Sequence, residues 1–296
     1  MTGQTIPPQT EAQSGPQQAP QQAPQQAPQA AARAPAGPDV APRPDEAARL
    51  EFLLRMGDTA LILGHRVSEW CGHAPVLEED IALANTALDL IGQSRMWLDY
   101  AAELQGEGRT ADDLAFLRDV WEFRNLLLVE LPNGDFGHTM MRQFLHDAWA
   151  SILLPRLAGA SRDARVREIA EKAAKEAAYH LERSSGIVIG LGDGTAESRA
   201  RMQAALDALH PYAGEIFATD ATDRALAEAG VAPDPASLRA EYEALVARIV
   251  DRATLRLPEG GFAHTGGRDG RSHTEHLGHL LCEMQWLQRA YPGCRW

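Results

Sequence analysis

The chain has 296 residues, and its 41 acidic and 28 basic side chains give a formal net charge of −13 at pH 7. This charge argues against nucleic acid as a partner, because such binding depends on neutralising phosphates with lysine and arginine. It argues equally against an anionic membrane surface, and no stretch approaches the roughly 20 apolar residues of a membrane span. The cysteines, Cys71, Cys282 and Cys294, are an odd number without metal-ligand spacing, which is typical of reduced thiols and predicts a cytoplasmic protein.

Residues 1–45 differ in composition from the rest of the chain. The tetrapeptide Pro-Gln-Gln-Ala begins at Pro16, Pro20 and Pro24, and large apolar side chains are almost absent. Such a tract buries too little surface to offset the entropy that a chain loses on folding. It has neither the apolar run of a secretory signal nor the arginine-rich pattern of a transit peptide. We therefore predict a disordered Pro/Gln-rich tail over 1–45 and one helical domain over 46–296.

From residue 46 onward the sequence predicts one helix after another and no alternating strand. Apolar residues recur at steps of three and four, and the breaks fall at proline and glycine, as at Pro75 and Gly134. The predicted helices cover 46–70, 78–104, 112–131, 138–158, 162–189, 196–218, 221–229 and 235–254, and a last helix opens at Ser272. Several helices of about 20 residues joined by short connections predict an all-α bundle with additional C-terminal helices.

Two further predictions concern single helices, one a buried face and the other an N-terminal cap. In helix 112–131 one face is apolar, and we expect it to be buried. The residues of this face are Leu114, Leu117, Trp121 and Leu128. The last helix should begin with a capping box, in which Ser272 and Glu275 satisfy each other's backbone N–H groups.

The segment 258–271 is predicted to be a glycine-rich loop. Its stretch Gly266-Gly267-Arg268-Asp269-Gly270 has the composition of a phosphate cradle. It follows no strand and does not match a P-loop, so a partner-binding loop is an equally good interpretation.

The central candidate site begins in helix 78–104. Ile81, Ala84, Leu88 and Ile91 recur at helical spacing and predict a buried apolar stripe, with Asp89 on the line beside it. In helix 46–70 Glu69 lies one heptad from Ile62, next to the core stripe. We therefore expect Glu69 and Asp89 to face each other across a helix pair.

The next two long helices add more inward polar side chains. Asp147 lies in line with apolar residues of helix 138–158, and Glu176 and His180 share a face of helix 162–189. Together with Glu69 and Asp89 they place one acid on each of four long helices. This is close to the di-iron carboxylate arrangement, in which two helices supply a Glu each and the other two a Glu-x-x-His each.

The ligand set nevertheless departs from that arrangement. Three residues after Asp89 stands Gly92, which cannot bind a metal, and Gln93 is a poor substitute for an imidazole. Three residues after Glu176 stands Tyr179, and His180 follows one position too late. The favoured interpretation is a hydrogen-bonded network of buried acids with His180, Tyr179 and Gln93, without metal.

A second cluster lies in the last helix. It consists of His273, His276 and His279 with Glu275 and Glu283. His276 and His279 are one turn apart, which is suitable spacing for a divalent ion. The order matches neither HExxH nor HxxEH, so an exposed face or a subunit contact is favoured over a metal-storage or hydrolytic site.

Four long blocks of the sequence resemble the C subunits of bacterial phenylacetyl-CoA epoxidases, which are ring-1,2-phenylacetyl-CoA monooxygenases. The resemblance extends over roughly 48–296 and leaves out the Pro/Gln-rich tail. The blocks are SEWCGHAPVLEEDIALANTALDLIGQSRMWLDYAAELQGEG, RNLLLVELPNGDFGHT, KEAAYHLERS and GGRDGRSHTEHLGHLLCEMQWLQRAYPG.

This resemblance implies a ferritin-like fold and a structural, non-catalytic subunit of a multicomponent oxygenase of aerobic phenylacetate degradation. The related A subunit would hold the di-iron centre, and a small B subunit and a reductase with NADPH, FAD and an iron–sulfur cluster would complete the complex. No cofactor and no catalytic residue is expected in this chain. The alternative is an oxygenase in its own right, with iron held by Glu69, Asp89, Asp147, Glu176 and His180.

Overall fold

The computed structural model describes residues 44–262 and 264–294. Within these ranges the chain is helical and contains no strand, which confirms the predicted all-α fold. The predicted tail over 1–45 lies outside the described residues except for its last two positions. The helices are α1 Pro44–Ser68, α2 Leu77–Gln105, α3 Ala111–Phe116, α4 Leu127–Glu130, α5 Phe136–Ala160, α6 Ala164–Gly192, α7 Ala196–Leu209, α8 Ala221–Ala229, α9 Arg239–Arg252 and α10 Glu275–Ala290, with 3₁₀ turns at Val120–Glu122, His210–Phe217 and Pro235–Leu238.

Two antiparallel helix pairs, α1 with α2 and α5 with α6, form the centre of the molecule. Glycines bring the first pair close together, since a Cβ atom added at Gly57 would come within 2.6 Å of Leu98. Helix α2 also contacts α6 and thereby joins the two pairs. Burial of the apolar faces between the four helices stabilises this packing. The arrangement is the predicted ferritin-like bundle, and α7 to α10 follow it as additional C-terminal helices.

Helix α5 is almost entirely buried. Met141, Leu145, Ala148 and Ile152 recur at helical spacing and form its buried stripe. The side chain of Asp135 caps the helix by accepting a hydrogen bond from the backbone N–H of His138 at 2.8 Å. Neither α5 nor another helix within 44–262 and 264–294 is long and apolar enough to cross a membrane.

The prediction of one helix over 112–131 is wrong. The segment breaks into α3, a 3₁₀ turn and α4, and Leu117 and Trp121 are exposed instead of buried. The cause is Asp58 in α1, which forms a buried ion pair with Arg118 and accepts the backbone N–H of Arg124 at 2.9 Å. A continuous helix could not bring both groups to one carboxylate.

The predicted capping box at the start of the last helix is also wrong. Helix α10 begins at Glu275, and its N-cap Thr274 forms no side-chain cap. The backbone N–H and the hydroxyl of Thr274 instead donate to the buried carboxylate of Glu130, each at 2.7 Å. A contact distant in sequence therefore replaces the local cap.

Candidate functional site

Helices α2 and α6 bring Asp89 and His180 together near the centre of the bundle. His180 Nε2 lies 3.0 Å from Asp89 Oδ2. The imidazole is buried, whereas the carboxylate of Asp89 is partly open to solvent. The one histidine of the predicted ligand set therefore already has a carboxylate partner.

Asp147 lies deeper, between α5 and α6. Its side chain is buried, and its carboxylate accepts hydrogen bonds from Gln143 Nε2 at 2.7 Å and from Ser184 Oγ at 2.8 Å. His146 Nδ1 lies 3.4 Å from the oxygen that Gln143 contacts. Both carboxylate oxygens of Asp147 are therefore satisfied by neighbouring side chains, as a buried acid requires.

Glu176 on α6 is held by an amide. Its carboxylate accepts a hydrogen bond from Nε2 of the buried Gln93 on α2, at 2.8 Å. Glu176 itself is half-buried. Two side-chain hydrogen bonds, between Asp89 and His180 and between Gln93 and Glu176, therefore link α2 to α6. They are separate pairs and not the predicted network of buried acids, since Asp89 and Glu176 are both partly exposed.

Tyr179 joins neither pair, contrary to the prediction. Its side chain is exposed on α6, although its ring meets the ring of His180 edge-on at a centroid distance of 6.2 Å. Gly92 is not required by packing either, because a Cβ atom there would meet nothing within 4 Å. A larger side chain would therefore fit at position 92, so packing does not explain why a metal-binding residue is missing there.

The prediction that Glu69 faces Asp89 is wrong. Glu69 follows the last residue of α1, is exposed, and accepts hydrogen bonds from Arg66 at 3.1 Å and from Asn133 at 2.7 Å. Partial burial alone would raise the pKa of Glu69, but the neighbouring side chains of His65 and Arg66 bring it below its usual value. This acid belongs to a surface ion pair and not to the bundle centre.

These residues do not fit a di-iron centre. Such a centre requires carboxylates from four helices and two imidazoles, whereas Glu69 lies elsewhere, Gly92 offers no ligand and His180 is paired with Asp89. Within 44–262 and 264–294 no group of three or more His, Cys, Asp or Glu side chains is placed to hold a metal ion.

The histidines near α10 do not form a metal site. The side chain of His273 is buried, and its Nδ1 lies 2.6 Å from Oε1 of the buried Glu130, which also accepts from Asn125 Nδ2 at 2.9 Å. His279 and Glu283 lie on the exposed side of the helix. The cluster predicted from spacing is therefore divided between a buried contact and the surface.

The glycine-rich loop cradles a carboxylate of its own chain. Glu215 Oε1 accepts the backbone N–H groups of Gly266, Gly267 and Arg268 at 2.8, 2.6 and 3.1 Å. The other oxygen accepts the N–H of Leu127 at 2.7 Å. Burial raises the pKa of Glu215, although these four donors act in the opposite direction. The loop does bind an anion, but the interpretation as a phosphate site is wrong.

Sequence reasoning missed Glu130 and Glu215, the two glutamates that are fully buried within 44–262 and 264–294. Each is an acid within an apolar run, Leu-Val-Glu-Leu at 128–131 and Gly-Glu-Ile-Phe at 214–217. An acidic residue within an apolar run indicates a buried carboxylate with partners, because charged side chains are rarely buried without them. This signal could have identified both glutamates.

The apolar stripe predicted to be buried on α2 faces solvent instead. The residues that pack into the bundle lie on the neighbouring face and include Leu83, Leu90 and Trp97. We call the exposed stripe the α2 seam; it consists of Leu77, Ile81, Ala84, Leu88 and Ile91, of which the four large residues are 71%, 54%, 65% and 42% exposed. The alternating steps of four and three are those with which a helix packs against another helix.

Comparison with known proteins agrees with the resemblance found in the sequence. The chain is 51% identical over 245 residues to the C subunit of the 1,2-phenylacetyl-CoA epoxidase of Escherichia coli (strain K12), an alignment that covers 83% of this chain and 98% of that protein. The family model described as "Phenylacetic acid catabolic protein" matches residues 34–296. With an all-α bundle and a family match over most of its length, the chain belongs to the phenylacetic acid catabolic protein family.

Proposed function

We propose that this chain is a non-catalytic structural subunit of a cytoplasmic phenylacetyl-CoA epoxidase and that it supports a catalytic di-iron A subunit. The observation that carries the proposal is that Asp89, Asp147 and Glu176 are each held by a side chain of this protein. The Escherichia coli relative is named as one subunit of an epoxidase, which supports a role within an assembly.

The hydrogen-bonded centre stabilises the bundle and leaves no set of free ligands. Gln93 and Ser184 donate to Glu176 and Asp147, and both donors are buried. A carboxylate that binds a metal ion can still accept such hydrogen bonds. What disfavours a metal here is the incomplete ligand set, because Glu69 lies elsewhere and Gly92 offers no ligand atom.

The exposed α2 seam is a surface suited to contact with a helix of a partner subunit. Large apolar side chains at helical spacing on a surface mark an interaction site, and a related bundle would present a helix of matching period. We propose that this partner is the A subunit. The B subunit and the reductase, which supplies electrons through NADPH, FAD and an iron–sulfur cluster, would complete the complex.

Metal analysis tests the proposal. The chain is purified alone and also together with the A subunit, and iron is measured per chain in both samples. We expect near-zero iron in the chain alone and iron only in the complex. About two irons per chain in the isolated protein would contradict the proposal and support the alternative of an independent oxygenase.

A further inference from the structure

The loop before α5 contains an Asn-Gly dipeptide, Asn133-Gly134, which occurs nowhere else in the sequence. Such a dipeptide is chemically labile, because the backbone nitrogen of the glycine can attack the side-chain amide of the asparagine. A residue without a Cβ atom offers this attack little steric hindrance. The other two asparagines precede Thr86 and Leu126, whose side chains hinder the same reaction. Asn133 is therefore the asparagine most open to deamidation.

The fold requires a glycine at position 134. Gly134 has a φ of 59°, in the left-handed region that favours glycine. A Cβ atom there would come within 3.0 Å of the side chain of His138. The backbone N–H of Gly134 donates to no group within 44–262 and 264–294, so its nitrogen is not engaged elsewhere. The labile dipeptide thus follows from the geometry of this turn.

The side-chain amide of Asn133 is held at both ends. Its oxygen accepts a hydrogen bond from Nη2 of Arg142, which is fully buried. Its nitrogen donates to the carbonyl oxygen of Arg66 at 2.8 Å and to Oε2 of Glu69 at 2.7 Å. These three contacts hold the half-buried side chain in one orientation.

The backbone of Asn133 is fixed as well. The hydroxyl of the buried Thr139 donates to the carbonyl oxygen of Asn133 at 2.8 Å, and it accepts the indole N–H of Trp70 at 3.0 Å. Deamidation requires Cγ of Asn133 to close a ring onto the nitrogen of Gly134, which changes the side-chain torsions and the backbone torsion between the two residues. The folded loop therefore resists the reaction until these hydrogen bonds open.

Glu69 is the accessible part of this arrangement. It is exposed, and Nη1 of Arg66 donates to its other oxygen, Oε1, at 3.1 Å. Without Glu69 the amide nitrogen of Asn133 would keep only the carbonyl oxygen of Arg66 as an acceptor. Asn133 would then leave its place more often, because the population of an open state rises as the contacts that oppose it are removed.

We propose that Asn133 is a deamidation site and that Glu69 delays the reaction by holding the amide nitrogen. The nitrogen of Gly134 bonds to Cγ of Asn133, the bond from Cγ to the amide nitrogen breaks, and ammonia leaves with the proton of the Gly134 N–H. A water molecule then opens the cyclic imide to aspartate or isoaspartate. The new carboxylate replaces the group that donated to Glu69, so two like charges meet and the loop loses this anchor.

Peptide mass spectrometry of the purified full chain tests the proposal, because deamidation exchanges the side-chain NH₂ for OH. Conversion at Asn133 is followed over time at neutral pH, in the native chain and in the same chain unfolded in urea. We expect Asn85 and Asn125 to stay intact in the native chain, and Asn133 to react roughly tenfold or more slowly there than in urea. Glu69→Ala should raise the native rate about tenfold, the factor that corresponds to losing one hydrogen bond to a charged acceptor.

Matched variants separate loss of this hydrogen bond from a general effect of the substitution. Glu182→Ala removes an exposed glutamate of α6 and should leave the rate at Asn133 unchanged. Glu69→Gln keeps an acceptor for the amide and should react more slowly than Glu69→Ala. Circular dichroism checks that each variant is folded. The proposal is overturned by an Asn133 that stays intact in urea, by a native rate equal to the unfolded rate, or by a Glu69→Ala chain that reacts no faster than the wild type.

Discussion

Single buried acids decide much of the local structure of this protein. Asp58, Glu130 and Glu215 each gather backbone N–H groups or side chains from segments far away in the sequence. Propensity and periodicity describe neighbours along the chain, so they could not reveal these contacts. Asp147 and Glu176, by contrast, are predicted to lie near the bundle centre because each shares a face of its helix with apolar residues. For Asp89 the prediction rests on the stripe through Ile81 and Leu88, which faces solvent in the structure.

Glu215→Gln should lower the free energy of unfolding by about 2–3 kcal/mol, because the amide turns a donor toward backbone N–H groups that need an acceptor. Urea unfolding at neutral pH measures the effect. Glu228→Gln, on the exposed surface of α8, is the control and should change the free energy by less than about 0.5 kcal/mol. An equally small change at Glu215 would show that the loop does not depend on this carboxylate.

Glu176→Ala should lower stability by about 1–2 kcal/mol, because the buried amide of Gln93 loses its acceptor. The yield of the complex with the A subunit should fall accordingly. Turnover per assembled complex should stay at the wild-type level, and it is measured on complex isolated by gel filtration. A complex that assembles fully but has no activity would count strongly against the structural role.

At the scale of the helix, α2 shows that a periodic apolar pattern predicts a helix but does not determine which of its faces is buried. The pattern identifies the helix correctly, and α2 begins and ends within one residue of the prediction. It contains two apolar stripes, however, one through Leu83 and Leu90 and one through Ile81 and Leu88. Periodicity alone cannot tell which stripe faces the core of the same chain and which faces a partner.

Leu88→Asp should leave the isolated chain almost as stable as the wild type, within about 0.5 kcal/mol, because this side chain is exposed. It should weaken binding to the A subunit at least tenfold, since a charge would enter an apolar contact. Titration calorimetry with the A subunit measures the change. Leu257→Asp, at an exposed leucine after α9, is the matched control. Unchanged affinity of the Leu88 variant would exclude the seam as the contact.

For the molecule as a whole, strong acid should weaken a contact between the bundle and the later helices. Arg55 of α1 pairs with Asp220 at the start of α8 at 2.6 Å. Burial alone would raise the pKa of Asp220, but the hydrogen bond from Arg55 lowers it from 3.8 to about 2. Because the folded pKa is below the unfolded value, this carboxylate stabilises the fold above pH 3.8 and loses its effect as the pH falls toward 2.

Asp220→Asn should therefore be less stable than the wild type at pH 6 and should approach it near pH 2. Arg55 also lies 3.5 Å from Asp223, so the variant keeps an acidic partner for the arginine and should fold. Urea midpoints measured from pH 6 to pH 2 test this. Parallel curves for the two proteins would show that the ion pair contributes nothing to acid stability.

The backbone hydrogen bonds that Glu215 accepts also determine where the loop before α10 can change in length. Residues 266–268 are held by that carboxylate, and the start of α10 is held separately by Glu130. The exposed stretch just before them, 259–261, only connects two anchored parts. Added residues there would change little more than the entropy of closing a loop, which grows slowly with length. An affinity tag or a fluorescent domain could thus be inserted at this point without displacing α10.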